Sequence, residues 1–230
     1  MRMIQHLTCK IVFYTTSPFI EYVNMLKRIA IIITLLTAWL IPCYSSAQSS
    51  LIESQQDDGP TFEDEIRFPL VGPKLKVFVK AYMQEVAKGL YREGYKVETM
   101  RQGEVVIVII PSDELFIPNE DDLLPSAGKK LDPIAKSLAT HNDYKMLICA
   151  HTDDTGSEGY SLDLSEMRIN AILDYFEAKH YNVNDVIGFP IGFGQPTVDN
   201  DTRLNRAQNR RIEFYIIPSE GILAKARNKK

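Results

Sequence analysis

Residues 149–168 read CAHTDDTGSEGYSLDLSEMR, and this stretch decides the fold. It begins as the end of an apolar strand: Met146, Leu147, Ile148, Cys149, Ala150. A polar turn follows, from His151 and Thr152 through Asp153, Asp154, Thr155 and Gly156, and then the chain enters a helix. Asp153 sits where the strand stops, and Arg168 lies fifteen residues further on, about two turns into the helix. Ligands bind at strand-to-helix turns of α/β domains because backbone N–H groups and the helix dipole converge there. One carboxylate and one guanidinium held together can grip a ligand that carries both an ammonium and a carboxylate.

Working outward, the chain alternates strand and helix. The apolar positions Val79, Tyr82, Met83, Val86 and Leu90 predict an amphipathic helix over 76–92, ended by Gly94. Residues 95–100 and 105–110 flank a Gln102-Gly103 turn and read as a hairpin. The second of these strands is apolar on both faces, as a strand covered on both sides is. Phe116, in the loop 111–122, is expected to plug the edge of the core. Ala127, Leu131, Ile134, Ala135 and Leu138 predict a helix over 125–139, with Pro133 as a kink or restart. Residues 144–150 form the next strand and 159–179 the next helix, with Ile169, Ile172, Leu173 and Phe176 on its apolar face. Arg168, one position from Ile169, falls at the edge of that stripe. A glycine-rich strand over 186–193, a polar loop over 199–205 and a last strand over 207–217 complete the order. The fold class is α/β, an α+β two-layer sandwich of βαβαββ order with a mixed sheet, preceded by the helix and the hairpin strand. The helix 76–92 serves either as a dimer surface or as cover for the sheet edge, the second being the preferred reading; the oligomeric state stays open.

The N-terminal part reads as an address. Lys27 and Arg28 precede the apolar run 29–41, and Ser45-Ser46-Ala47 offers a small-residue cleavage site. Translation is therefore expected to start at Met25, with 1–24 an upstream extension and 25–47 a signal peptide. The run falls short of the roughly 20 apolar residues of a spanning helix. Leu40-Ile41-Pro42-Cys43 is similar to a lipoprotein processing box, although Pro42 departs from the small residue wanted there, so Cys43 is a candidate for lipidation. Either route exports the protein to the periplasm or the periplasmic face of the outer membrane. Residues 48–75 read as a flexible linker and 219–230 as a frayed basic tail.

Composition excludes several classes. With 45% hydrophobic and 24% charged residues the 230-residue chain is globular in type, and a net charge of −4 argues against nucleic-acid binding. Cys9, Cys43 and Cys149 supply no disulfide framework, and Cys149 reads as a core residue. No cofactor is indicated.

Three motifs in order, HTDDTGSEGYSLDLSEMR, GFGQP and NRAQNRRIEF, resemble the C-terminal OmpA-like peptidoglycan-binding domain, also seen in Pal lipoproteins and flagellar stator B proteins. The likeness covers residues 95–218. It implies a non-enzymatic protein that tethers a membrane or partner to peptidoglycan. Asp153 and Arg168 match the family residues that hold the diaminopimelate end of the stem peptide. Arg210 matches a further arginine of that pocket, and Thr155 and Gly156 match the backbone lining it. Ser161 stands where the family often has asparagine, which changes one hydrogen bond to the peptide. A guanidinium fork suits the diaminopimelate carboxylate better than an ammonium does. Two alternatives belong to other classes. His151, Asp153 and Asp154 allow a metal-dependent periplasmic hydrolase, although a catalytic zinc takes three protein ligands and an open position. A stator-like subunit of an ion-driven envelope machine is the other, against which the run 29–41 carries no acidic residue.

Overall fold

The computed structural model describes residues 61–67, 69–136 and 142–228. The expected signal peptide, its upstream extension and Cys43 lie outside the described residues. A five-stranded sheet of order β1-β2-β5-β3-β4 forms the frame. Its strands are β1 (Lys96–Met100), β2 (Val105–Pro111), β3 (Tyr144–His151), β4 (Val186–Gly192) and β5 (Arg211–Pro218). All neighbours are antiparallel except β3 and β4, which are parallel and joined by a helix, as parallel strands require.

Six α-helices accompany the sheet among the described residues: α1 (Phe62–Arg67), α2 (Pro73–Arg92), α3 (Gly128–Ala135), α4 (Glu158–Ala178), α5 (Arg203–Asn209) and α6 (Glu220–Asn228). The period-two alternation of the strands sorts their side chains into two cores. Val106, Val108, Ile110, Met146, Ile148, Ile212, Phe214 and Ile216 form one face. Val79 and Met83 of α2, Leu131 and Ile134 of α3, Ile172 and Phe176 of α4, and Ile222 of α6 pack into it. The other face carries a smaller cluster of Val105, Ile107, Leu147, Cys149, Tyr215 and Ile217, against which Phe62 and Ile66 of α1 pack. This second layer is why β2 is apolar on both sides. Helix α4 lies tight on β4: a Cβ at Gly188 would stand 2.4 Å from Ile169 Cγ2.

Four expectations are corrected. The stretch 48–75, read as a tether, contains α1, whose Phe62 ring meets Phe189 and Tyr215 edge-on at 5.5 and 5.1 Å. Composition conceals this because half of α1 is acidic and it is held by two apolar side chains. The tail read as frayed forms α6, with Ile222 and Leu223 buried and Lys225 paired with Asp143. The loop 199–205 and the first residues of the last strand are instead α5, capped by the Thr202 hydroxyl accepting from Asn205 N–H at 3.1 Å. Helix α2 begins at Pro73 rather than 76, proline being compatible with a helix's first turn. Pro133 lies inside α3, whose described residues run from 128 to 135.

Candidate ligand-binding site at the strand ends

Three charged side chains predicted from the sequence, Asp153, Arg168 and Arg210, meet beyond the ends of β3 and β5. Asp153 follows β3 directly and is only 6% exposed. One carboxylate oxygen accepts from the Thr155 N–H at 3.1 Å and from the Thr155 hydroxyl. The other accepts from Arg210 Nη1 at 2.7 Å. Burial alone would raise the Asp153 pKa, but the bonds from Thr155 and Arg210 outweigh it and hold the group below the usual aspartate value. Asp153 is therefore charged at neutral pH.

Arg210 also reaches Asp113, with Nη2–Oδ2 at 2.9 Å and Nε–Oδ1 at 3.3 Å. The Asp113 bonds, then that to Asp153, raise its pKa further, despite partial burial. Asp113 was not singled out from the sequence. It lies in the loop after β2, and only the antiparallel pairing of β2 with β5, which sets Pro111 opposite Arg211, brings it to Arg210.

Arg168 projects from α4 and is 3% exposed. Its Nε donates to the Glu120 carbonyl at 3.0 Å, and its guanidinium carbon stands 5.1 Å from the Phe116 ring centre. Phe116 thus fills the core edge and also forms a floor for the cation. Arg168 Nη1 is buried and has no hydrogen-bond partner. Burial lowers the Arg168 pKa, and nearby Asp113 opposes that shift. The loop that supplies Glu120 is held by the Tyr160 hydroxyl, which donates to the Asn119 carbonyl at 3.3 Å. The four charges, Asp113, Asp153, Arg168 and Arg210, sum to zero, so the site suits a ligand that itself carries both signs.

Asn209 is a second residue missed from the sequence. It is fully buried, and its side-chain oxygen accepts from Thr197 N–H at 2.9 Å and Val198 N–H at 3.2 Å. Its amide donates to the Val198 carbonyl at 2.7 Å and Asn200 Oδ1 at 2.8 Å. Asn209 therefore staples the loop after β4 to the residue just before Arg210. The only signal in the sequence is its position ahead of the arginine pair.

Ser161 is not brought into the cluster. It is buried, and its hydroxyl donates to the Ser157 carbonyl at 2.9 Å, inside α4. Thr155 is committed to Asp153, and Gly156 lies exposed in the turn, where an added Cβ would stand 2.7 Å from the Tyr160 ring. His151, Asp153 and Asp154 do not converge. His151 lies beside Glu213, Nε2 to Oε2 at 3.6 Å, which is too long for a hydrogen bond, while Asp153 turns to Arg210 and Asp154 is exposed. No group of three or more histidine, cysteine or acidic side chains disposed to hold a metal occurs among the described residues.

Residues 115–211 match the OmpA family. That segment holds the strand-to-helix turn and both arginines of the site. Over 109 residues the chain is 34% identical to the outer-membrane lipoprotein YfiB of Pseudomonas aeruginosa, which is 47% of this chain and 64% of that protein. Over 94 residues it is 32% identical to the peptidoglycan-binding protein ArfA of Mycobacterium bovis, 41% of this chain and 29% of that one. The chain thus spans less than two thirds of the length of these relatives. In fold, the chain resembles a MotB-like protein from Desulfovibrio vulgaris, with a TM-score of 0.55 at 21% identity, over 63% of this chain and 96% of that one. All four charged groups of the site except Asp113 lie within the matched segment, and Asp113 stands two residues before it.

Proposed function

We propose that this protein binds peptidoglycan non-covalently through the diaminopimelate end of the stem peptide and tethers an envelope protein or membrane to the wall. The carrying observation is the buried guanidinium of Arg168, whose Nη1 lacks a partner beside the Asp153–Arg210 pair. A desolvated donor without an acceptor is costly, and a ligand carboxylate relieves that cost. The end of diaminopimelate presents a carboxylate and an ammonium on one carbon. Its carboxylate takes the donors of Arg168, and its ammonium shares the acceptors of Asp153 with Arg210. Each charged hydrogen bond is worth about 1.5–3 kcal/mol. A lysine-type stem lacks that terminal carboxylate and leaves Arg168 unpaired. Relatives named as a peptidoglycan-binding protein and an outer-membrane lipoprotein support this reading and an envelope location.

The role is binding rather than catalysis: the acid of the site is held by Arg210 and Thr155 and is paired as an ion rather than poised as a base. Repeated weak sites on the wall add retention through effective concentration. The test is co-sedimentation of the chain with diaminopimelate-type and lysine-type peptidoglycan, alongside Asp153→Ala and Arg168→Ala. Retention on the first wall only, lost in both variants, is expected. A folded chain retained equally on both walls, or on neither, would sink the reading.

A further inference from the structure

We propose that two copies of this chain pair antiparallel through their β1 edges, with the two-fold axis at Val97, giving one continuous ten-stranded sheet. The two edges of the sheet differ. The β4 edge contains Pro190, which lacks a backbone donor, and its pairing with β3 shifts register at Ala150/His151. Both features blunt an edge against further pairing. Strand β1 has neither, and among the described residues it pairs only with β2. Four of its five residues are exposed.

The charged side chains of β1 favour one register for self-pairing, the one that sets both opposite-charge pairs across the seam. Lys96 and Glu98 face the sheet side away from α2, and their Nζ and Oε1 lie 3.2 Å apart within one copy. Directly opposed residues in an antiparallel pair share a face, so only registers that keep faces together are allowed. With the axis at Val97, Lys96 lies opposite Glu98 of the second copy, and Glu98 opposite its Lys96. Moving the axis to Lys96 sets lysine against lysine, and moving it to Glu98 sets glutamate against glutamate. Like charges directly opposite are unfavourable. The alternation of Lys96, Val97 and Glu98 is therefore self-complementary in one arrangement, as an isologous two-fold interface requires.

The other face of the same edge fits. Val97 packs toward the main core beneath α2. Beside it runs an open groove of about 400 Å³, lined by Ala87, Lys88, Tyr91, Arg92, Val97 and Thr99. Tyr91 is 71% exposed although it is aromatic and sits on a helix that buries Val79, Met83 and Leu90. In the pair, Val97 meets Val97 across the axis, and the two grooves join into one seam that covers both tyrosines. Helix α2 then both roofs the sheet and frames the dimer surface.

Sedimentation of the full chain in mild detergent, which disperses the apolar run 29–41, tests this. A dimer is expected for the wild type. Lys96→Glu sets glutamates against glutamates and weakens the dimer at least about tenfold. Adding Glu98→Lys to Lys96→Glu reverses both signs, keeps the complementarity and restores the dimer. A monomeric wild type, a dimer indifferent to Lys96→Glu, or a double variant no better than the single would each overturn the proposal. Both positions are exposed, so these variants keep their fold.

Discussion

Arg210 extends to Asp153 and Asp113 at the strand ends, whereas Arg211, the next residue, extends to Glu213, Asn209 and Gln195 beneath the sheet. The two guanidinium groups are chemically identical and differ only in what surrounds them. On the lower face each nitrogen of Arg211 has an acceptor, and Glu213 also takes the Tyr215 hydroxyl at 2.5 Å. That ion pair is filled and its charges stabilise the fold, although both ring nitrogens of His151 beside it are buried without a hydrogen-bond partner. At the strand ends Asp113 is half exposed and the neighbouring Arg168 keeps an unsatisfied donor. That cluster is open, and it holds binding capacity in reserve. Of the two clusters, the one at the strand ends is where a buried cation keeps a donor unfilled.

The largest way to test this contrast is at Glu213. Glu213→Ala leaves Arg211 buried without its carboxylate and removes the acceptor of Tyr215. A loss of about 3–5 kcal/mol in chemical denaturation is expected, as for a broken buried ion pair. A loss below about 1 kcal/mol would mean the lower cluster is not a structural element.

Arg168 is the counterpart. Replacing it by methionine removes a desolvated, incompletely paired cation while preserving volume, so stability is expected to hold or rise by about 1 kcal/mol. Wall retention should fall roughly ten- to a hundredfold. A variant that unfolds as readily as Glu213→Ala would erase the distinction between the two clusters.

Acid titration separates the faces again. Burial opposes the charge of Glu213, but His151, the Tyr215 hydroxyl and Arg211 outweigh it and hold its pKa down at about 2, against an ordinary 4.5. A depressed carboxylate contributes its full stabilisation above the ordinary value and loses it as the pH falls toward the folded one. Stability should therefore decline between about 4.5 and about 2. Glu213→Gln should flatten that decline, and an unchanged profile in that variant would assign acid sensitivity elsewhere.

Asp113→Asn is the smallest change. Its partner Arg210 keeps Asp153, and Asp113 is 51% exposed, so less than about 1 kcal/mol of stability is at stake. Retention of diaminopimelate-type wall should change little. A complete loss would make Asp113 a ligand-holding group in its own right.

The sequence by itself determined the order of the five strands and of three of the six helices, the strand-to-helix turn at Asp153, and the placing of Arg168 on the border of an apolar stripe. These follow from local periodicity and from residue types that occur together in a short stretch. It also carried three motifs that resemble those of OmpA-like domains. Segments whose structure depends on a partner far along the chain were misread. Helix α1 forms against Tyr215 and Phe189, and α6 forms over Asn142 and Asp143, whereas α5 was missed although its cap, Thr202, is local. Taken alone, each of these segments is short, polar or charged. Only the tertiary structure decided that Asp113 joins the site and that Ser161 does not. A side chain's role depends on which acceptors lie within about 3 Å of it, and strand pairing between distant residues sets that distance.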